Sequence, residues 1–229
     1  MAADASSRDV ETWLAPPEAA ERFDPSRLVG REREEWSSLQ TARRRRDWAS
    51  SRALLSAVGV ESDQRSSLAH TRGYAALALA PRAVAVGIDL EWMAPRDFLG
   101  MANVAYCAGE CTLLASLDDP RELCSTFYEL WTLKEAFGKA LQLPLVDALR
   151  QCRFNEAGLG LGAAVPTDRH WRATVFAPRP QLRLAVVRIA DAPAPLDAPL
   201  TTFEWPQPRR CDWTVVRSVA GGGPSDRAC

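Results

Sequence analysis

A chain of 229 residues suits one domain or two small lobes, and its 47% hydrophobic and 25% charged side chains are ordinary for a globular protein. A formal net charge of −1 provides no global field to draw it onto nucleic acid or an anionic membrane. No apolar run reaches the roughly 20 residues of a membrane-spanning helix, and Met1 to Val10 lacks an apolar signal core, so a soluble, cytoplasmic protein is expected.

In chain order, Arg8 to Leu14 reads as an edge strand. From Thr41 the pattern turns helical, with Trp48, Leu55 and Val58 on one face and Gly59 as the stop. Tyr74 to Ala80 and Ala83 to Glu91 read as strands, and Ala80-Pro81-Arg82 between them predicts a hairpin. Residues 97–117 look helical with a break near Gly109. A longer helix runs from about Glu122 to Gln142, closed by Pro144. Gln151–Phe154, Gly158–Val165, Trp171–Phe176 and Leu182–Ile189 are short β runs between turn residues. Beyond Asp191 no period stands out, and the stretch from Gly221 reads as a loose tail. No internal repeat is visible. This order argues for an α+β protein.

The six cysteines include a pair, Cys107 and Cys111, four apart on a predicted helix. Structural zinc needs four ligands at paired spacings. The only histidines are His70 and His170 and no second pair follows, so free, mostly buried thiols are expected.

The basic residues are more telling. Of 28, only Lys134 and Lys139 are lysines, and they flank Glu135 on the long helix. Lysine is a compact point charge where arginine is a planar fork, so the pair suits either a site that needs a point charge or a solvated helix face. Asp89 and Glu91, two apart at the end of a strand, share one face. Carboxylates held that close repel unless a cation or proton intervenes, and an oxygen-only donor set suits magnesium. Exposed strand ends produce the same pattern. Glu135 shares a stripe with Trp131 and Lys139, which places it either at a pocket rim or in an exposed ion pair. Glu110 is a further candidate acid, or a first-turn glutamate favoured by the helix dipole.

Three fragments, Gly87-Ile-Asp-Leu-Glu, Tyr106-Cys-Ala-Gly-Glu and Trp131-Thr-Leu-Lys-Glu-Ala-Phe-Gly-Lys, in this order and at these separations, resemble the 4′-phosphopantetheinyl transferases. Enzymes of that family move the phosphopantetheine arm of coenzyme A onto a serine of a carrier protein. The length resembles the surfactin-synthetase-activating type, which implies two similar α/β lobes in pseudo-twofold arrangement, each with a small sheet packed on a long helix. The corresponding division is an N-terminal lobe at 1–82 on the coenzyme A 3′-phosphate side, a C-terminal lobe at 83–195 with the magnesium site, and a partly disordered extension at 196–229. The resemblance runs from about Thr41 to Ile189.

The resemblance implies magnesium ligation by Asp89, Glu91 and Glu135, and phosphate contact by Lys139, with Lys134 beside the metal-binding glutamate. It casts Glu135, or water ordered by Glu110, as the base for the carrier serine. In the first lobe it implies coenzyme A contacts by Arg52, His70 and the Ser66-Ser67-Leu-Ala-His70 turn, with Arg43 to Arg46 supplementing Arg52. The chain departs from the family in its short Gly59–Ser67 segment, which lacks a lysine for which Arg65 is the stand-in, in Ala69 where relatives carry serine, and in Leu141-Gln-Leu-Pro-Leu after the helix. The implied partners are coenzyme A and an acyl or peptidyl carrier protein of polyketide, fatty-acid-like or peptide synthesis, served by a monomer. Two other readings stay open: a transferase-like protein that binds a carrier without modifying it, and a magnesium-dependent phosphohydrolase using Asp89 and Glu91.

Overall fold

The computed structural model describes residues 9–154 and 165–221. The strand expected at Gly158–Val165 falls, apart from its last residue, outside the described residues, as does the tail beyond Gly221. In chain order the structure contains β1 (Val10–Ala15), α1 (Gly30–Ser38), α2 (Ala42–Val58), β2 (Gln64–Thr71), β3 (Tyr74–Pro81), β4 (Ala85–Trp92), α3 (Phe98–Ala105) and α4 (Ala108–Ala115). It continues with α5 (Pro120–Leu141), α6 (Leu145–Gln151), β5 (His170–Ala177), β6 (Leu182–Ala190), α7 (Ala194–Asp197), β7 (Leu200–Glu204), β8 (Arg209–Arg210) and β9 (Thr214–Gly221). These form an α+β fold of two sheets, β2-β3-β1-β7-β8 and β4-β6-β5-β9.

The layers follow from side-chain alternation. In β3, Ala75, Leu77 and Leu79 pack toward Ala53 and Leu54 of α2, while Ala76, Ala78 and Ala80 pack toward Val86, Ile88 and Leu90 of β4. In β6, Leu182, Leu184 and Val186 join that same inter-sheet core. Its alternate residues Ala185, Val187 and Ile189 meet Phe137 and Ala136 of α5. The order is α2, first sheet, second sheet, α5. Strands covered on both faces read as unbroken apolar runs rather than alternating ones.

That double burial overturns the expected hairpin. Val84 N–H closes a turn on Pro81 O at 2.9 Å, but β4 then leaves the first sheet and pairs with β6, while β3 pairs with β1 and β2. The chain steps from one layer to the next. A turn signal marks a reversal; it does not say whether the second strand pairs beside the first or stacks beneath it. β1 is likewise not an edge strand: it is central, antiparallel to β3 and parallel to β7. The region after Asp191 supplies β7 and β8 to one sheet and β9 to the other. Gln151–Phe154 is not a strand run, because α6 occupies residues through Gln151.

The two long helices match their sequence signals closely. Thr41 caps α2 by accepting Arg44 N–H at 3.2 Å, and Gly59 ends it at φ 77°. Asp119 and Pro120 open α5, and Gln142 closes it in the left-handed region. The helical break expected near Gly109 occurs at Tyr106 and Cys107 instead, between α3 and α4. The cysteines among the described residues are free. No described helix is long and apolar enough to cross a membrane.

Candidate active site

The site begins with a glycine. A Cβ on Gly87 of β4 would lie 1.9 Å from Ala136 O and 2.7 Å from Ala140 N of α5, so only glycine lets the helix backbone approach the strand this closely. Asp89 and Glu91, on the same face of β4 as Gly87, are thereby brought against Glu135 and Lys139, one turn apart on α5. Carboxylate oxygens of Asp89, Glu91 and Glu135 lie within 4.8 Å of one another. Lys139 Nζ donates to Asp89 Oδ1 at 2.8 Å and to Ile88 O at 2.9 Å.

Three carboxylates face one ammonium here, and the imbalance shows in their titration. Burial, then the charge of Asp89, pushes Glu91 up to about 7. The same two causes push Glu135 up to about 7, against the pull of Lys139 and a hydrogen bond from the Trp131 side chain. Asp89 is 5% exposed, and its Oδ2 is buried without a partner. An orphaned, buried carboxylate oxygen inside an all-oxygen cluster of excess negative charge fits a hard divalent cation.

Other elements frame the cluster. The exposed Arg43 and Arg96 lower the Glu91 pKa by their charge. Arg96 lies over the Tyr128 ring at 5.0 Å, and the Tyr128 hydroxyl exchanges hydrogen bonds with both Ala94 N–H and Ala94 O at 3.2 Å, pinning the loop after β4. His70, at the end of β2, is held below its ordinary pKa chiefly by desolvation, with Asp47 raising it and Lys139 lowering it. Asp47 of α2 is buried and accepts the N–H of Gly73. Gly73 (φ 86°) follows Arg72 (φ 48°) in the tight turn between β2 and β3. Asp47 therefore fixes the turn that carries His70. Sequence reasoning missed this role; the only signal was its i,i+4 spacing from Arg43, an ion pair of 3.9 Å here.

Several residues expected at this site lie elsewhere. Lys134 is 0% exposed, donates to Leu149 O at 2.8 Å and to Cys152 O, and pairs with Glu110 at 2.9 Å. Glu110, also 0% exposed, accepts the N–H groups of Cys107 and Phe154, each at 2.9 Å. Both are spent on tying α4, α5 and α6 together, so the geometry offers neither phosphate contact from Lys134 nor water ordering by Glu110. Arg52 lies nine residues beyond Arg43, half a turn around the helix at about 100° per residue. It faces Glu32 and Glu35 of α1, at 3.3 and 3.6 Å, and stacks on Trp48. Ser67 Oγ accepts Ile88 N–H at 3.0 Å and stitches β2 to β4. Arg65, at the opposite end of β2 from His70, donates to Arg82 O.

Residues 85–187, which contain the whole acidic cluster, match a family model described as the 4′-phosphopantetheinyl transferase superfamily. A protein of Synechocystis sp., named as a candidate 4′-phosphopantetheinyl transferase, is 32% identical over 96 residues. That match covers 40% of this chain and 38% of the relative. The superfamily segment spans β4 to β6 and so includes both lysines of α5, the buried one and the one in the cluster, while β1, α2 and the β2–β3 turn lie before it.

Proposed function

We propose that this chain is a 4′-phosphopantetheinyl transferase that moves the phosphopantetheine arm of coenzyme A to a serine of an acyl or peptidyl carrier protein and releases 3′,5′-ADP. The observation that carries this reading is the convergence of Asp89, Glu91 and Glu135 beside Lys139, with a buried Asp89 oxygen left unpartnered, inside the segment that matches the superfamily. Asp89, Glu91 and Glu135 would hold Mg²⁺, which when bound neutralises phosphate charge and polarises phosphoryl oxygens.

The remaining work falls to side chains. Lys139 uses two of its three N–H donors on Asp89 and Ile88, leaving the third for a phosphate oxygen on which charge grows during transfer. Of the two candidate bases for the serine proton, Glu135 lies in the cluster, whereas the full burial and commitment of Glu110 argue against a route through it. Arg43, on the first-sheet side of the cleft, supplies positive charge for the other phosphates of coenzyme A, His70 beside it offers an imidazole hydrogen bond, and Asp47 holds that wall in place. The exposed Arg96 and the cleft rim suit an acidic carrier surface.

The test is intact-protein mass spectrometry of an apo carrier protein incubated with this chain, coenzyme A and Mg²⁺. A gain of roughly 340 Da, one phosphopantetheine group, that is lost in Glu135→Gln is expected. A folded protein giving no gain on any of several carriers would reject the reading. One observation favours a second reading, carrier binding without transfer: Arg52 is engaged by Glu32 and Glu35 rather than open to a ligand. Carrier binding in the absence of coenzyme A binding would establish it.

A further inference from the structure

The chain after Glu91, from Trp92 to Arg96, leads from the acidic cluster to the surface, and two arginines are seated on rings along it. The guanidinium of Arg72, from the β2–β3 turn, lies 5.4 Å from the centre of the Trp92 ring, and that ring stacks with Tyr74 at 6.1 Å. The guanidinium of Arg96 lies over Tyr128, whose hydroxyl pins Ala94. Both arginines are exposed. Among the described residues neither guanidinium makes a hydrogen bond or an ion pair. The acid beside Arg96, Asp97, is turned into α3, where it accepts Gly100 N–H at 2.9 Å. Arg72 also stands at φ 48°, a left-handed conformation that suits glycine, so its side chain is held there at a backbone cost.

We propose that Arg72 and Arg96 anchor an acidic surface of the carrier protein beside its target serine, an inference that rests on the transferase reading. A ring holds a guanidinium by its face. The N–H edge, a fork matched to a carboxylate, stays free. Two such forks without an acid to satisfy them concentrate positive charge at one place on a chain whose net charge is −1. The serine oxygen has to approach Glu135 and the groups beside it, so the partner surface around that serine settles on the residues around Glu91. Arg43 and Lys139 are paired with Asp47 and Asp89 and face the cluster, where coenzyme A phosphates belong. Arg72 and Arg96 are held outside it, on the exposed side that a protein partner meets. An acidic carrier gains from both forks and a basic one is repelled, so the pair selects among carriers by charge.

The experiment measures, by calorimetry, binding of an acyl carrier protein whose serine is replaced by alanine. In parallel it measures KM for the unaltered apo carrier and for coenzyme A. Arg72→Gln and Arg96→Gln are each expected to weaken carrier binding by about threefold to fivefold, and the double variant by about tenfold. Carrier KM should rise in step, with the KM for coenzyme A unmoved. Added salt should weaken binding by the parent and leave the double variant nearly unaffected. Arg72→Gly, which relieves the backbone, should fold at least as stably and lose as much binding as Arg72→Gln. Carrier binding indifferent to the double variant, or a rise in coenzyme A KM in place of carrier KM, would overturn the proposal and leave the transferase reading intact. If the parent modifies no carrier, the transferase reading fails by itself and the binding measurement still decides. Salt-dependent binding lost in the double variant then upholds the docking surface, and absence of binding overturns it.

Discussion

Lys134 and Lys139 lie on the same helix, each beside an acidic partner, and their surroundings are opposite. Around Lys134 the charges balance: one ammonium, one carboxylate, with backbone N–H and C=O groups filling the remaining valences and no exposure to solvent. Around Lys139 they do not: three carboxylates share one ammonium, one oxygen has no partner, and two glutamates are pushed up to about 7. A buried ion pair with every bond made is a brace. A cluster with surplus charge and an unmade bond is a place where something else belongs.

The widest separation between the two lysines should appear in stability. Lys134→Met leaves Glu110 as an unpaired charge at zero exposure, and a loss of about 3–5 kcal/mol is expected in denaturant unfolding. Combining it with Glu110→Leu should recover much of that loss, since breaking a buried pair costs far more than replacing it. If Lys134→Met is fully stable yet inactive, the brace assignment is wrong. Lys139→Met should do the reverse, lowering the rate of carrier modification by about 10²- to 10³-fold. Its stability cost should stay near about 1 kcal/mol, because Glu91 and Glu135 can take up protons as the ammonium is lost. A rate within a factor of a few of the parent would remove Lys139 from the mechanism.

Metal linkage is the next effect in size. Glu91 and Glu135 bind protons more tightly in the folded chain than at their ordinary value of 4.5. The metal-free protein should therefore lose stability as pH rises from about 4.5 through 7, as these groups ionise against Asp89. Mg²⁺ offsets that repulsion, so its stabilisation should be small at pH 5 and largest above 7. At ten times the dissociation constant it should reach about 1.4 kcal/mol, or about 3–6 °C in melting temperature. A Mg²⁺ shift that is flat with pH, or that survives in Glu91→Gln with Glu135→Gln, would refute the cluster as the binding site. The smallest effect belongs to Asp47→Ala. Freeing the Gly73 N–H should cost about 1 kcal/mol and raise the KM for coenzyme A more than it lowers kcat, with Asp47→Asn partly rescuing. An unchanged KM would show that the β2–β3 turn does not shape the binding wall.

Local signals carried much of this architecture. Thr41 and Gly59 bound α2 and Pro144 follows α5, so both long helices were legible from neighbouring residues, although the start of α5 was read at Glu122 rather than at its Asp119 cap. That Asp89 shares a face with Glu91, and Glu135 with Lys139, was legible too, because i,i+2 on a strand and i,i+4 on a helix dictate it; joining the two pairs into one site came from the family resemblance. What failed were the inferences that needed a neighbour distant in sequence. The β3–β4 hairpin dissolved because the second strand stacks on the first rather than pairing with it. Arg43 and Arg52 diverged because nine helical residues put them on opposite faces, one toward the cleft and the other toward α1. The stretch after Asp191 shows no period of its own because its strands lie in two different sheets.

The sequence by itself determined which residues could bear the chemistry: an acidic pair two apart on a strand, a glutamate four before a lysine on a helix, two lysines among many arginines, and a glycine before the first aspartate. Tertiary structure alone decided which of them meet. Gly87 admits the α5 backbone and brings Glu135 and Lys139 to Asp89, whereas the packing of α4 and α6 on α5 encloses Lys134 with Glu110. The two lysines look alike along the chain because lysine carries the same charge everywhere. Burial and the count of opposing carboxylates, which no local pattern records, separate the brace from the site.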